Sequence, residues 1–456
     1  MTIEKIQRIG IIGAGFSGTS LAFALSQLAQ KSLEVILFEK SGDFGAGPAY
    51  ATPFPYHLLN VRAKDMSIYE LESQHFVNWL TTHTAKLNLS LKAPLADQFV
   101  SRMLYRLYLQ DLLTELSLTS NSNIKLHCVE AEVVDLKTMS HHILLQTKAG
   151  ATFTVDQVVL ALGNLPPSHF PFPHDSSMPV INNPWEYRAV ENIPETANVM
   201  IVGTGLSMID TVLTLHQRRH RGKIIAVSRH GLLPLPHSCA NAQFTLNPSQ
   251  FPLRLHHLTR WLRKMIREYE AEGGDWREII HAFRNDVPHV WQKLTLTDKK
   301  RFLRHMVPLW NVHRHRVHDE IDALLKQMMS TGQLSILSGR VLKSDPQGTQ
   351  IKLRHTEEIK SFSIDWLVNC MGPRSLLSTR TTPLISNLLA RHFATLDPLH
   401  MGFAVNSTGA LQNKEQKDSK VIFTLGPLRK GSVFESGAVP EIRKQAFELA
   451  QTLLHS

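Results

Sequence analysis

Read as a pattern of apolar and polar positions, the chain opens with an apolar run from Ile9 to Ile12. Glycines follow at 13, 15 and 18, then an amphipathic segment, then a second apolar run that ends in the acid Glu39. Short apolar runs bounded by glycine suit buried strands, and three- and four-residue spacing suits a helix, so the order predicts strand, tight turn, helix and strand. Periodicity then fails over SGDFGAGPAYATPFPYHLLNVRAKDMS, where clustered Gly and Pro predict a long loop whose distinctive residues are Gly45, Gly47, Tyr50, His57 and Asn60. Residues 71 to 118 read as helices, with FVNWL and MLYRLYLQDLLTEL, and 124 to 160 read as strands ending at Gly163. The stretch LPPSHFPFPHDSSMPVINNPWEY reads as a domain crossing.

The opening pattern then recurs in NVMIVGTGLSMIDTVLTLHQRRHRGKIIAVSRHG, with Gly203 and Gly205 in place, Met208 at the third glycine position, and Ser228, Arg229 and His230 where the first unit has its acid. Residues 232 to 330 turn helical. Strands resume at LSILSGRVLKSD, IKLRHTEEIKSFS and IDWLVNCMGP, the last ending at Gly372, and the chain closes on a strand, Gly426 and a helix. The expected fold is α/β with two Rossmann-like dinucleotide-binding domains. Residues 1–165 form the first part of one domain and 366–456 its C-terminal part; the other, 190–365, is inserted and carries a helical insert at about 232–330.

Each β-α-β unit carries its own chemistry. In the first, Gly13 permits the tight turn, Gly15 lets backbone approach a pyrophosphate, and Gly18 allows helix and strand to pack; Phe16 and Ser17 begin a helix whose positive end faces the anion. Glu39, about 20 residues past the last glycine, stands where a carboxylate accepts ribose hydroxyls. In the second unit a hydroxyl and cations at Ser228 and Arg229 suit a 2′-phosphate, which favours NADP over NAD. One unit with an acid and another with Ser-Arg is what FAD plus NADPH requires. In MVPLWNVHRHRVHDE, histidines 313 and 315 alternate with Arg314 and Arg316; the arginines oppose a bound cation, so no metal is expected, and favour an anion, either the NADP phosphate or a substrate carboxylate, for which Arg314 and Arg316 are the candidates.

Composition narrows the partners. Lys and Arg exceed Asp and Glu by 10 charges, but the basic residues are scattered and no aromatic stacking motif accompanies them, so nucleic acid is not expected. The three cysteines, Cys128, Cys239 and Cys370, lie far apart without a CxxC pair, which excludes a disulfide scaffold, a zinc ribbon and the redox-active pair of flavin disulfide reductases. With neither a secretion signal nor a run of apolar residues long enough to cross a bilayer, the expectation is a cytoplasmic protein without stable membrane association.

Four segments together, GPAYATPFPYHLLNVRAKDMS, VGTGLSMID with SRHGLLPLPH, LWNVHRHR and LGPLRKGSVFESGAVPEIRKQA, resemble the bacterial FAD/NAD(P)-binding proteins that include L-aspartate N-monooxygenase-like and urate-hydroxylase-like members. The resemblance runs nearly end to end, and LALGN ending at Asn164 is similar to the signature by which such chains leave the flavin domain. It implies FAD at Gly13, Gly15, Gly18, Glu39, Asn60, Gly163, Gly426 and the turn around Ala438, and NADPH at Gly203, Gly205, Ser228 and Arg229. The chain departs from the family pattern at Arg62, Lys64 and Arg106, which leaves the substrate open.

The expected activity is an FAD-dependent, NADPH-using monooxygenase that hydroxylates nitrogen or carbon of a small polar substrate with dioxygen, through a flavin C4a-hydroperoxide. The alternatives are a flavin reductase or oxidase serving another acceptor, and a non-catalytic FAD-binding regulatory protein. The oligomeric state is not legible.

Overall fold

A computed structural model describes residues 6–86, 94–119, 123–237, 244–374 and 381–455; Cys239 lies outside them. The chain divides into two compact units, one of residues 1–165 with 375–456 and one of residues 166–374.

The first unit is built on β1 (Gln7–Ile12), β2 (Leu33–Glu39) and β3 (Ile124–Glu130), followed by β4 (Val133–Thr138), β5 (Ile143–Thr147) and β6 (Thr152–Val155), which form a separate antiparallel sheet. β7 (Gln157–Leu160) returns to the main sheet. In register, Ile12 of β1 lies beside Phe38 of β2 on one side and Leu160 of β7 on the other, all parallel. The glycine turn, Glu39 and the chain leaving β7 therefore emerge at one carboxyl edge, the edge at which open α/β sheets bind ligands.

The helix Phe16–Leu28 differs from the amphipathic segment expected: every residue from Phe16 to Leu25 is buried. The helix Val439–Leu454 packs against it, with Leu449 and Ala450 fully buried, so both helical flanks are covered and no polar stripe is needed. Each large aliphatic side chain so buried contributes about 2 kcal/mol before entropy is counted. The predicted helical region after residue 71 holds the helices His75–Lys86 and Arg102–Leu118.

The second unit contains β8 (Val180–Ile181), β9 (Val199–Val202), β10 (Ile224–Ser228), β11 (Leu334–Asp345), β12 (Gly348–Leu353), β13 (Ile359–Phe362) and β14 (Trp366–Asn369) in one sheet of order β13-β12-β11-β10-β9-β14-β8. β14 runs parallel to β9 here, so the strand assigned by sequence to the segment from 366 onward lies in the second unit's sheet. The Gly203 turn rests on the carbonyl of Cys370, at the end of this strand beside β9. Between β10 and β11 lie helices running from Leu255–Ala271 to Asp319–Ser330. The chain then returns to the first unit with β15 (Ala410–Gln412) and β16 (Asp418–Thr424), and Thr424 lies beside Leu160 in parallel register.

Candidate functional site

The first glycine turn is closed by backbone. Gly13 has φ +102°, its N–H donates to the Phe38 carbonyl at 2.9 Å, and a Cβ there would lie 2.4 Å from the Ala161 carbonyl oxygen. A Cβ on Gly18 would lie 1.9 Å from the Gly13 oxygen, so helix and strand meet as closely as the sequence pattern requires. Gly15 faces Gly47: its Cβ would come within 3.3 Å of the Gly47 Cα, and the Gly45 N–H donates to the Ala14 carbonyl at 2.8 Å. The long loop thus folds onto the turn, and Gly47 is a part of this cradle that the glycine fingerprint alone does not reveal. Glu39 Oε2 accepts from the Ala14 N–H at 3.0 Å while Oε1 accepts from the Ser41 hydroxyl at 3.0 Å, which fixes the carboxylate beside the turn.

Gly426 has φ +72° and packs on Ser17, whose Oγ would stand 2.7 Å from an added Cβ; its N–H donates to Gln445 Oε1 at 2.9 Å. Phe16 and Ser17 are buried at the start of their helix. Gly163, at φ +64°, follows β7 with open space where a side chain would be. Two long helices of this unit start without a side-chain cap, Phe16–Leu28 after Gly15 and Val439–Leu454 after Ala438, as do the one-turn helices Gly47–Tyr50 and Lys430–Val433. Ser101 and Thr382, by contrast, cap Arg102–Leu118 and Pro383–Ala390 in the ordinary way. Uncapped amides at a positive helix end suit an anion supplied by a ligand.

Asn60 is half-buried on the loop, next to Leu59, whose N–H donates to Val100; among the described residues no hydrogen bond joins it to the glycine turn. Arg62, Lys64 and Arg106 engage local acids. Arg62 and Lys64 both pair with Asp97, at 3.1 and 2.9 Å, and Arg106 pairs with Asp43 at 2.7 Å.

The second turn repeats the backbone and changes the chemistry. Gly203 has φ +115°, and a Cβ would lie 2.0 Å from the Cys370 oxygen; Gly205 starts the helix Leu206–Gln217, again without a side-chain cap, and has open space around it. Met208 is fully buried, so the third glycine position is filled by a packed side chain. Ser228 Oγ lies 2.9 Å from Thr204 Oγ1 and accepts from the Gly231 N–H at 3.0 Å. Arg229 and His230 open onto a cleft of about 400 Å³ lined also by Arg340, Lys352, Arg354 and Glu357. Burial, then the charges of Arg354 and Arg229, hold the His230 imidazole below its ordinary pKa. The hairpin residues of this cleft were not legible as site residues, because only the pairing of β11 with β12 carries them to the end of β10.

Arg314 closes the helix Val307–Arg314, and Arg316 follows it. The neighbouring helix Trp276–Arg284 brings Arg277, which donates to Asp275 at 3.1 Å and to the Pro236 carbonyl at 3.1 Å. Burial first, and then Arg314 and Arg277, lower the Arg316 pKa to about 10. Arg284 acts on Arg316 in the same direction, and Asp275 opposes them. Among the described residues no group of three His, Cys, Asp or Glu is placed to hold a metal ion. The Cys370 thiol is buried against Thr211 and pushed up to about 12, opposite to the low pKa of a reactive thiolate.

Two glycine-turn β-α-β units on largely parallel sheets define an α/β fold with two Rossmann-like dinucleotide-binding units. Residues 10–165 match a family model described as FAD-NAD(P)-binding. By sequence, no curated protein matches the chain significantly. Among solved structures the chain is similar to the ornithine N-hydroxylase of Kutzneria sp. 744 with reduced FAD, NADP⁺ and L-ornithine, at 16% identity and TM-score 0.68, covering 98% of this chain and 99% of that one. It is similar also to the ornithine hydroxylase of Pseudomonas aeruginosa, at 15% identity and TM-score 0.65, and to the L-lysine 6-monooxygenase of Pseudomonas syringae, at 14% and 0.65, each over 99% of both chains. At these identities the likeness is one of fold. No helix among the described residues is long and apolar enough to cross a membrane.

Proposed function

We propose that the protein is an FAD-dependent, NADPH-using monooxygenase that hydroxylates a small polar substrate, with an amine nitrogen the favoured target. The observation that carries the reading is the contrast between the two turns: Glu39 is bonded to the Ala14 amide, whereas Ser228 is bonded to Thr204 and neighbours arginines. A carboxylate suits the ribose hydroxyls of FAD, and a hydroxyl among cations suits the 2′-phosphate of NADPH. The fold neighbours that act on ornithine and lysine support the same reading.

The residues fit the flavin. Gly13 lets the turn close on the Ala161 carbonyl, Gly15 and Gly47 let the long loop pack on that turn, and the uncapped start of Phe16–Leu28 supplies amides for the pyrophosphate. Glu39 would orient the adenosine ribose, and the helix starting after Ala438 would place its positive end toward the ring. Bound FAD accepts hydride from NADPH and activates dioxygen; one oxygen atom enters the substrate, and the other leaves as water with the hydride and a proton. Arg314 and Arg316 would hold a substrate carboxylate, since a guanidinium binds that group with two parallel hydrogen bonds. The chain's task is to position and to exclude water, so a Ser-His-Asp set is not required.

The test is direct. Purified protein should be yellow, NADPH should bleach it without oxygen, and with oxygen an amino-acid or amine substrate should give hydroxylated product in step with NADPH consumed. Peroxide as the sole product would make it an oxidase; failure of NADPH to bleach the flavin would make it a non-catalytic flavin-binding protein.

A further inference from the structure

The cleft beside β10 has a feature that packing does not explain. β11 runs parallel to β10 as far as Ser338, which lies beside Ser228, and then continues as one arm of an antiparallel hairpin with β12. In that hairpin Arg340 stands directly opposite Lys352. Like charges facing each other across a strand pair destabilise it. Arg354, one residue past β12, adds a third cation, and its Nη1 donates to the Arg229 carbonyl at 3.2 Å, with Ser338 Oγ donating to the same oxygen at 3.3 Å. Four cations, Arg229, Arg340, Lys352 and Arg354, thus line one cleft whose volume lies in the small-ligand range.

The one acid in its lining is Glu357. It sits in the turn between β12 and β13 at φ +58°, a conformation unusual for a residue with a side chain, and it ion-pairs with Lys352. A cluster so unbalanced, at the carboxyl end of the second strand of a dinucleotide unit, suits a dianion.

Resting on the reading that this unit binds the nicotinamide coenzyme, we propose that Arg340 and Arg354, on a hairpin more than a hundred residues from the fingerprint, set the preference for a 2′-phosphorylated adenosine, and that Glu357 moderates it by competing for Lys352. Recognition is then split: Gly203 and Gly205 accept the part common to both coenzymes, and the hairpin accepts the phosphate that distinguishes them.

The experiment uses the full-length, FAD-loaded protein and two probes, adenosine 2′,5′-bisphosphate and adenosine 5′-monophosphate, titrated by calorimetry at low salt. The bisphosphate should bind more tightly, and the double substitution Arg340→Gln with Arg354→Gln should weaken it by roughly 10- to 100-fold while leaving the monophosphate unchanged, which also reports an intact fold. Glu357→Gln should tighten the bisphosphate by about 2- to 5-fold, and no change would overturn its moderating role. Equal binding of both probes, with NADH and NADPH reducing the flavin equally, overturns the hairpin inference and leaves the oxidoreductase reading standing. A bisphosphate preference lost in the double variant, in a protein whose flavin no coenzyme reduces, supports the hairpin and overturns the activity. If neither probe binds, the hairpin inference falls together with the assignment of coenzyme to this unit.

Discussion

The two glycine turns solve one backbone problem and two recognition problems. Gly13 and Gly203 both sit at positive φ with a carbonyl from a parallel neighbour where a side chain would be, Ala161 in one unit and Cys370 in the other. The residue after each is then tied to the end of the next strand: Ala14 through its amide to the Glu39 carboxylate, Thr204 through its hydroxyl to Ser228. The turn itself carries no discrimination between ligands; what separates the units is the group that reaches it from the second strand. A fixed negative charge at the end of the second strand disfavours a 2′-phosphate on the ribose of the first unit's ligand, and cations at the same place in the second unit favour one.

The sharpest way to break the common part is Gly13→Ala or Gly203→Ala. Each combines a backbone conformation that favours glycine with a collision against backbone, and a loss of about 2 to 4 kcal/mol in urea denaturation is expected. Gly205→Ala is the control, because Gly205 has ordinary negative φ and open space: stability should stay within about 0.5 kcal/mol, while NADPH binding weakens as the Cβ enters the pyrophosphate path.

Glu39→Gln tests the part that differs in the first unit. Loss of the charged acceptor should lower FAD affinity by roughly 10- to 100-fold, read by flavin reconstitution of the apoprotein, with little change in the circular dichroism spectrum. The reciprocal exchange, Ser228→Glu, places the first unit's chemistry in the second; the ratio of kcat/KM for NADPH over NADH should fall by roughly tenfold or more. An unchanged ratio would remove Ser228 from coenzyme selection.

The smallest effect is expected in the helical insert. The Arg316 pKa falls from the ordinary guanidinium range to about 10, with burial the largest cause. A base whose folded pKa is lowered binds fewer protons folded than unfolded between its folded and unfolded values, so stability should rise with pH above about 10. Below that window the charge is present in both states and its burial costs stability throughout. Arg316→Met should therefore raise stability by about 1 kcal/mol at neutral pH without ligand, and should remove stabilisation by an added carboxylate, both read from denaturation midpoints.

Much of this molecule is local and hence legible in order along the chain. A strand–glycine–helix turn is specified by a few adjacent residues, because positive φ and close backbone approach are properties of glycine itself. Both turns, Glu39 at the end of β2, Ser228 at the end of β10 and the α/β class follow from such short-range constraints. The burial of Phe16 to Leu25 does not, since it depends on a helix more than four hundred residues away covering the second flank. Nor does the contact of Gly15 with Gly47, the membership of β14 in the second sheet, or the gathering of Arg340, Lys352 and Arg354 beside Arg229. The sequence alone determined where the backbone can turn and what charge each second strand carries. Strand pairing decided which distant cations share a cleft, because register, unlike glycine geometry, is set by partners the local sequence does not contain.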